Sequence, residues 1–249
     1  MSKAVRTRKI TVADFPNWNT TKKILVILAH PDDPEFFCGA TLAKWAREGH
    51  QISYCLLTHG EKGTNAEFSD SAHIKEIRKK EQNAAASIIG AQKVLFLEHS
   101  DGFLVADLGL RKELVRIMRG EQPDVVVSCD PSNFYTHGQT LNHPDHRAAG
   151  LAVVEAIFPA AQNNEFYPEL MVEGLKQHHI QELWLSLPYE ANFVMDVTDT
   201  WQIKIEALLK HRSQVGDPGE FRKQMESRGK MAFGKRKYFE QFHRLVIRK

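Results

Sequence analysis

Cysteine is scarce and unpatterned in this chain of 249 residues: Cys38, Cys55 and Cys129 are odd in number, far apart and form no C-x-x-C pair. That excludes a disulfide framework and a thiolate zinc site, and it fits a reducing compartment. No apolar run approaches the roughly 20 residues that cross a bilayer. Lys3, Arg6, Arg8 and Lys9 are followed by no apolar stretch, so no secretory signal is read and a cytoplasmic protein is expected. Neither G-x-G-x-x-G nor G-x-x-x-x-G-K-[ST] occurs, which removes the dinucleotide and P-loop readings. Glu98-His99-Ser100-Asp101-Gly102 lacks the first glycine of G-x-S-x-G, so serine-hydrolase chemistry finds no support. An excess of one charge is missing too. The 33 Lys+Arg against 31 Asp+Glu leave a net of +2, with no overall bias toward nucleic acid, membrane or acidic partners.

What is present is an ordinary globular composition, 42% hydrophobic and 26% charged, with no internal repeat. Residues 24–29 (ILVILA) form a continuous apolar, β-branched run suited to a strand buried on both faces. Further strands are expected at 51–57, 93–97, 124–129, 182–187 and 193–197. Helices are expected at 39–48, 72–89, 108–119, 144–158 and 200–211, several of them closed by glycine. This alternation predicts an α/β fold, a Rossmann-like, mostly parallel sheet with helices on both faces. No linker divides the chain, so 1–249 is read as a single domain, with residues 1–22 as an N-terminal arm. Residues 220–249 hold 10 Lys+Arg against 3 Asp+Glu, while the rest of the chain has a net charge of −5. The basic segment carries no nucleic-acid motif and is read as a solvated terminal face, so nucleic acid is not expected as a partner.

Histidine is the residue whose placement carries information. Of the 12 histidines, three fall in two segments of one design: His30-Pro31-Asp32-Asp33 follows the first buried strand, and His143-Pro144-Asp145-His146 follows the 124–129 strand after a loop. Open parallel sheets bind ligands beyond the carboxyl ends of their strands, where both segments lie. In each, proline suits the first helical position, which puts the fourth residue in the first turn. A zinc hydrolase needs three N or O ligands, an open position and a carboxylate that accepts a proton from water. His30 and Asp33, three apart across a turn, can face one ion, and His146 supplies a third ligand. Asp32 between them is the candidate base, His143 is placed to stabilise an oxyanion or leaving group, and Asp145 to orient an imidazole. A lone His-Pro-Asp-Asp would be no more than a helix start, because proline and acidic residues favour the first turn.

These segments resemble the LmbE-like (PIG-L) family of zinc-dependent N-acetylglucosaminyl deacetylases. Ala29-His30-Pro31-Asp32-Asp33-Pro34-Glu35 is similar to its A-H-P-D-D-x-E signature, and His143-Pro144-Asp145-His146 to its H-P-D-H motif. Arg78-x-x-Glu81 with Ala84, Ala85 and Gly90 fits its R-x-x-E helix. Thr58-x-Gly60-Glu61-x-Gly63, Asp101-Gly102 and His211-x-Ser213-Gln214 fit further segments. The resemblance spans roughly residues 24–245 and implies zinc, or ferrous iron, on His30, Asp33 and His146. It also implies Asp32 as general base, His143 as oxyanion stabiliser, and Arg78 and Asp101 as sugar-binding residues. For Arg78 the plain alternative is a surface ion pair with Glu81; for Asp101 it is a turn.

The expected reaction is hydrolysis of the N-acetyl amide of an N-acetylglucosamine-containing small molecule or short oligosaccharide, releasing acetate and an amino sugar. The alternatives are an amidase for another N-acyl conjugate, such as a mycothiol-type S-conjugate, and a non-catalytic metal- or nucleic-acid-binding protein. A homo-oligomer is compatible with the resemblance. Family members often carry glycines where this chain has Phe37-Cys38-Gly39-Ala40-Thr41, and Phe37 is read as filling space near the pocket. His59 and His137 lie in loops at the carboxyl edge, while the pair His178-His179 is read as exposed.

Overall fold

The computed structural model describes residues 11–13, 16, 18–63, 70–136, 140–232 and 234–247; His137 lies outside them. In chain order the first elements are β1 (Thr11–Ala13), β2 (Lys23–Leu28), α1 (Asp33–Arg47), β3 (Gln51–Thr58), α2 (Ser71–Ile89) and β4 (Lys93–His99). Next come α3 (Leu108–Glu121), β5 (Val125–Cys129), the small hairpin β6 (Tyr135–Thr136) and β7 (Thr140–Leu141), and α4 (Pro144–Glu155). The remainder is α5 (Glu169–Val172), β8 (Glu182–Ser186), β9 (Phe193–Asp196), α6 (Trp201–Leu208), α7 (Arg212–Val215), α8 (Pro218–Ser227), the hairpin β10 (Lys230–Ala232) and β11 (Lys235–Lys237), and β12 (Phe239–Val246).

Eight strands form the central sheet in the order β1-β9-β12-β8-β5-β2-β3-β4, parallel except for β12. The apolar run of β2 explains its central position. Ile24, Val26 and Leu28 pack into one core with Trp45, Ala85 and Ile89 of α1 and α2. Leu25, Ile27 and Ala29 pack into the other with Leu114 and Met118 of α3 and Val153 of α4. From β2 the chain proceeds outward through β3 and β4 on one side, and through β5 and β8 on the other. The carboxyl ends of β2 and β5 therefore flank the point where strand order reverses, which is where such sheets open a ligand crevice.

Five features differ from the expectation. The basic C-terminal segment is no solvated face: β12 enters the sheet antiparallel between β8 and β9, burying Phe242 and Glu240. Its apolar alternation is too short to read through the surrounding charge. Part of the stretch read as an arm forms the edge strand β1, paired with β9, and Trp18 packs against Trp45 with ring centroids 5.0 Å apart. Helix α1 starts at Asp33 rather than 39, because it is bent at Cys38 (φ −147°). The bend is satisfied from outside: Glu240 accepts the amides of Ala40 and Thr41, and the Lys204 ammonium donates to the Phe36 carbonyl and to Glu240. Helix α4 ends at Glu155 and gives way to a wider turn, Ala156–Ala161, containing Pro159. The pair His178-His179 is half-buried, with His178 Nε2 2.7 Å from the Pro123 carbonyl.

Helix α4 lies unusually close to β5. A Cβ on Gly150 would stand 2.3 Å from the Cys129 carbonyl oxygen, so only glycine permits this approach. Gly150→Ala is expected to push α4 outward at a cost of about 1–3 kcal/mol, the usual range for overpacking. Urea unfolding measures this, and an unchanged midpoint would contradict the close approach.

Candidate active site

The carboxyl end of β2 runs directly into the first motif. His30 and Asp33 are nearly fully buried. Asp33 folds back over the turn: its Oδ2 accepts the His30 amide at 2.8 Å and lies 3.4 Å from His30 Nδ1. Asp32 caps α1 with φ at +88°, a left-handed conformation that is strained for most residues with a side chain and least so for aspartate and asparagine. That backbone turn separates the two aspartates: Asp33 faces the imidazoles, and the Asp32 carboxylate lies 3.2 Å from Arg78 Nη2.

The second motif starts α4 differently from the first. Pro144 is the first helical residue and His143 the cap, whereas Pro31 precedes the Asp32 cap, so the two segments are not superposable helix starts. Asp33 Oδ1 lies 3.1 Å from His146 Nε2, so one carboxylate sits between an imidazole of each motif. His146 Nδ1 is held by Asn142 Oδ1 at 2.9 Å. His143 Nδ1 accepts the Asp145 amide at 3.2 Å, which leaves the proton of a neutral His143 on Nε2. Burial, aided by the charges of His30 and His146, pushes the His143 pKa down and favours that neutral form.

Two more carboxylates close on the far side of His30. Its Nε2 lies 3.1 Å from Asp101 Oδ1 and 3.3 Å from Asp145 Oδ2. Both acids are fixed by backbone amides, Asp101 by Lys62 and Asp145 by Gly102 and Leu104. Burial alone would neutralise His30, but Asp33, Asp101 and Asp145 overcome it and push its pKa up to about 12. Burial likewise opposes the charge on Asp33, yet His146 and His30 hold its carboxyl well below the usual range. For Asp32 burial prevails over Arg78 and raises the pKa to about 6.

Three acids around one imidazole leave an excess of negative charge that calls for a cation, and the donors suit a divalent one. The side chains of His30, His143 and His146 offer nitrogens within 4.8 Å of one another, and His30, Asp101 and Asp145 form a second such group. Asp33 bridges His30 and His146. Phe37 reaches the same place, its ring centroid 5.0 Å from that of His146.

Arg78 lies beneath the site. It is buried and donates to the carbonyls of Gly60 and Pro31, at 2.6 Å each, as well as to Asp32. The surface pairing with Glu81 does not form; Glu81 instead accepts from the amide and hydroxyl of Ser213. Gly60, at φ +63°, is required by this packing, because a Cβ there would meet Arg78 Nη1 at 2.0 Å. His59 is buried, stacked on Phe96 and bonded to Glu98.

Fold and site together define an α/β protein with a histidine–carboxylate centre, able to hold a metal ion, at the switch point of a parallel sheet. The profile of the family described as GlcNAc-PI de-N-acetylase (PIG-L) matches residues 25–157, and the chain belongs to that family. It is 34% identical over 198 residues to diacetylchitobiose deacetylase of Thermococcus kodakarensis, covering 79% of this chain and 72% of the relative. The structure of N,N'-diacetylchitobiose deacetylase from Pyrococcus horikoshii superposes with a TM-score of 0.81 at 30% identity, covering 90% of this chain and 84% of that one. A 4-carboxy-2-hydroxymuconate hydratase from Pseudomonas putida shares the fold at 24% identity, with a TM-score of 0.72 over 92% of this chain and 98% of that one.

Sequence reasoning gave no role to Glu35, Gln82 and His211, which are fully buried behind Asp32. Gln82 Nε2 donates to both oxygens of Glu35, at 3.1 and 3.0 Å, and His211 Nε2 lies 3.2 Å from Glu35 Oε2. Glu35 and His211 stand in the quoted motifs, and Gln82 follows Arg78 by one helical turn; only the fold shows that they meet. Burial disfavours a charge on His211, but Glu35 outweighs it and raises the pKa above the ordinary histidine value of about 6.5. The charged pair therefore contributes its full stability below about pH 6.5 and loses it as pH rises through the raised value. In urea unfolding, the stability gap between wild type and His211→Gln is expected to narrow with rising pH. A gap that widens from pH 6.5 to 9 would refute the assignment.

Proposed function

We propose that this protein hydrolyses the N-acetyl amide of an N-acetylglucosamine-containing small molecule or short oligosaccharide, releasing acetate and a free amino sugar. The observation that carries the reading is the Asp33 carboxylate held between His30 Nδ1 and His146 Nε2, with Asp32 turned aside by its left-handed backbone. In this reading His30, Asp33 and His146 are the metal ligands. The metal is zinc, with ferrous iron the alternative, because imidazole and carboxylate donors suit both. Asp145 and Asp101 back His30 on its other nitrogen, the carboxylate–histidine arrangement that orients ligands in metal sites.

When bound, a divalent cation supplies Lewis acidity toward the acyl oxygen and makes water more acidic. Asp32 takes the proton of the attacking water, for which burial-raised basicity suits it. His143 donates its Nε2 proton as a hydrogen bond to the developing oxyanion, an interaction worth a few kcal/mol in other hydrolases. The proton gathered on Asp32 then passes to the departing amine. Arg78 steadies the ionised form of Asp32. Three exposed aromatic side chains, Phe103 after β4, Tyr135 in the small strand β6 and Tyr189 after β8, offer apolar faces for sugar rings. The names of the relatives support an acetamido-sugar substrate, and the shared fold of a hydratase makes the assay decisive.

Amine release from a panel of N-acetylglucosamine conjugates, with zinc present, tests the reading; no turnover on any of them would remove it. Chelation is expected to abolish activity, and one equivalent of zinc or ferrous iron to restore it. Asp32→Asn is expected to lower kcat at least a hundredfold while the metal stays bound. Asparagine tolerates the left-handed conformation, so the fold survives the change. Because Asp32 must be ionised, kcat/KM rises with pH, with a midpoint no higher than about 6, since a bound cation only lowers the pKa further. An acid limb centred above pH 7 would exclude Asp32 as the base.

A further inference from the structure

The conformation of Asp32 is imposed from α2. Two groups define the peptide plane between Pro31 and Asp32, and each is taken by a different α2 side chain. The Pro31 carbonyl accepts from Arg78 Nη2 at 2.6 Å, and the Asp32 amide donates to Gln82 Oε1 at 2.7 Å. Arg78 and Gln82 are four residues apart, one turn of α2, so a single rigid helix grips opposite edges of one peptide. The residue that follows this plane is the one at φ +88°.

The grip has a defined polarity. An amide side chain can present either its oxygen or its nitrogen, and what lies on the other side decides which. Here the other side is Glu35, whose two oxygens both accept from Gln82 Nε2, so the oxygen must face Asp32. His211 in turn fixes Glu35. All three side chains are buried, and none of them touches the Asp33 carboxylate or the imidazoles of His30 and His146 in any hydrogen bond described above.

We infer that Gln82 is a positioning residue for the reaction: with Arg78 it clamps the Pro31–Asp32 peptide, and Glu35 and His211 set its orientation. The clamp supports the left-handed turn that aims Asp33 at the imidazoles and Asp32 away from them. This rests on Asp32 being the base, and that reading has its own test in Asp32→Asn.

The decisive variants are Gln82→Met, which keeps the side-chain length and removes the acceptor, and the exchange Glu35→Gln with Gln82→Glu. The exchange restores an acceptor toward the Asp32 amide and a donor from position 35. Gln82→Met is expected to lower kcat about a hundredfold, the scale of a 1 Å misplacement, with KM within twofold. In its crystal structure the φ of residue 32 is expected to leave the left-handed region. The exchange is expected to recover at least tenfold of the lost kcat and to return φ to positive values. Wild-type kcat in Gln82→Met would overturn the inference, as would a low kcat with φ unchanged or an exchange no better than Gln82→Met. Should Gln82→Met fail to fold, the exchange against Glu35→Gln alone gives the same comparison. An active Asp32→Asn enzyme would remove the base assignment instead, whatever the Gln82 variants do.

Discussion

The crowding of negative charge around His30 is the constraint on which the rest of the site depends. Asp33, Asp101 and Asp145 all come within 3.4 Å of a single imidazole. Buried charges persist only when paired and fully hydrogen-bonded, and an uncompensated one costs several kcal/mol. The chain meets that demand with its own backbone. The loop after β3 turns the Lys62 amide onto Asp101, and the loop after β4 turns the amides of Gly102 and Leu104 onto Asp145. The acids therefore fix the loops as much as the loops fix the acids. What backbone amides cannot supply is the positive charge itself, and that leaves a proton or a metal ion between the two motifs.

Support for the centre comes from far along the chain. The matched family region ends at residue 157, before β8. Lys204, His211 and Glu240 lie beyond it, and each is buried against α1 or its contacts. Glu240 and Lys204 satisfy the backbone groups released where α1 bends at Cys38, and His211 holds Glu35 in the helix before the bend. The half of the sheet added by β8, β9 and β12 thus contributes no candidate ligand. It fixes the angle at which the first turn of α1, bearing Asp33, leaves β2.

How much of this was legible in the sequence depended on whether a signal is local. The β2 run and its alternating burial read directly, because a strand covered on both faces must be apolar throughout. The pairing of His30-Pro31-Asp32-Asp33 with His143-Pro144-Asp145-His146 was legible because each motif follows a strand of the parallel sheet. The left-handed turn at Asp32 was not, since no glycine marks it; aspartate occupies it under clamping by α2. Nor was β12, whose inward side offers Glu240 and Phe242, a charged residue whose partner is 36 positions away. For Arg78 the spacing to Glu81 allowed a surface ion pair as the plain alternative to sugar binding; burial beneath the Gly60 loop turned Arg78 inward instead. In each failure the deciding partner was distant in sequence.

Aromatic side chains stand around the centre in two layers. Phe37 meets His146 in a T-shaped contact, ring centroids 5.0 Å apart, and on the proposed reading the acyl group has to fit beside it. Phe37 sits on α1, a helix whose start and bend are held by the buried side chains of Arg78, Gln82, His211, Lys204 and Glu240. The aromatic residues of the rim, Phe103, Tyr135 and Tyr189, are exposed and stand on the segments that follow β4, β5 and β8. Phe103 lies between the two amides that hold Asp145, with the Lys62 ammonium 4.9 Å from its ring centroid, and the Tyr189 amide donates to Asp130 at the end of β5. None of the three sits on the helix that bears Asp33, whereas Phe37 does. On the proposed reading the rim therefore faces the body of the substrate, while Phe37, on the same helix as Asp33, faces the reacting acyl group.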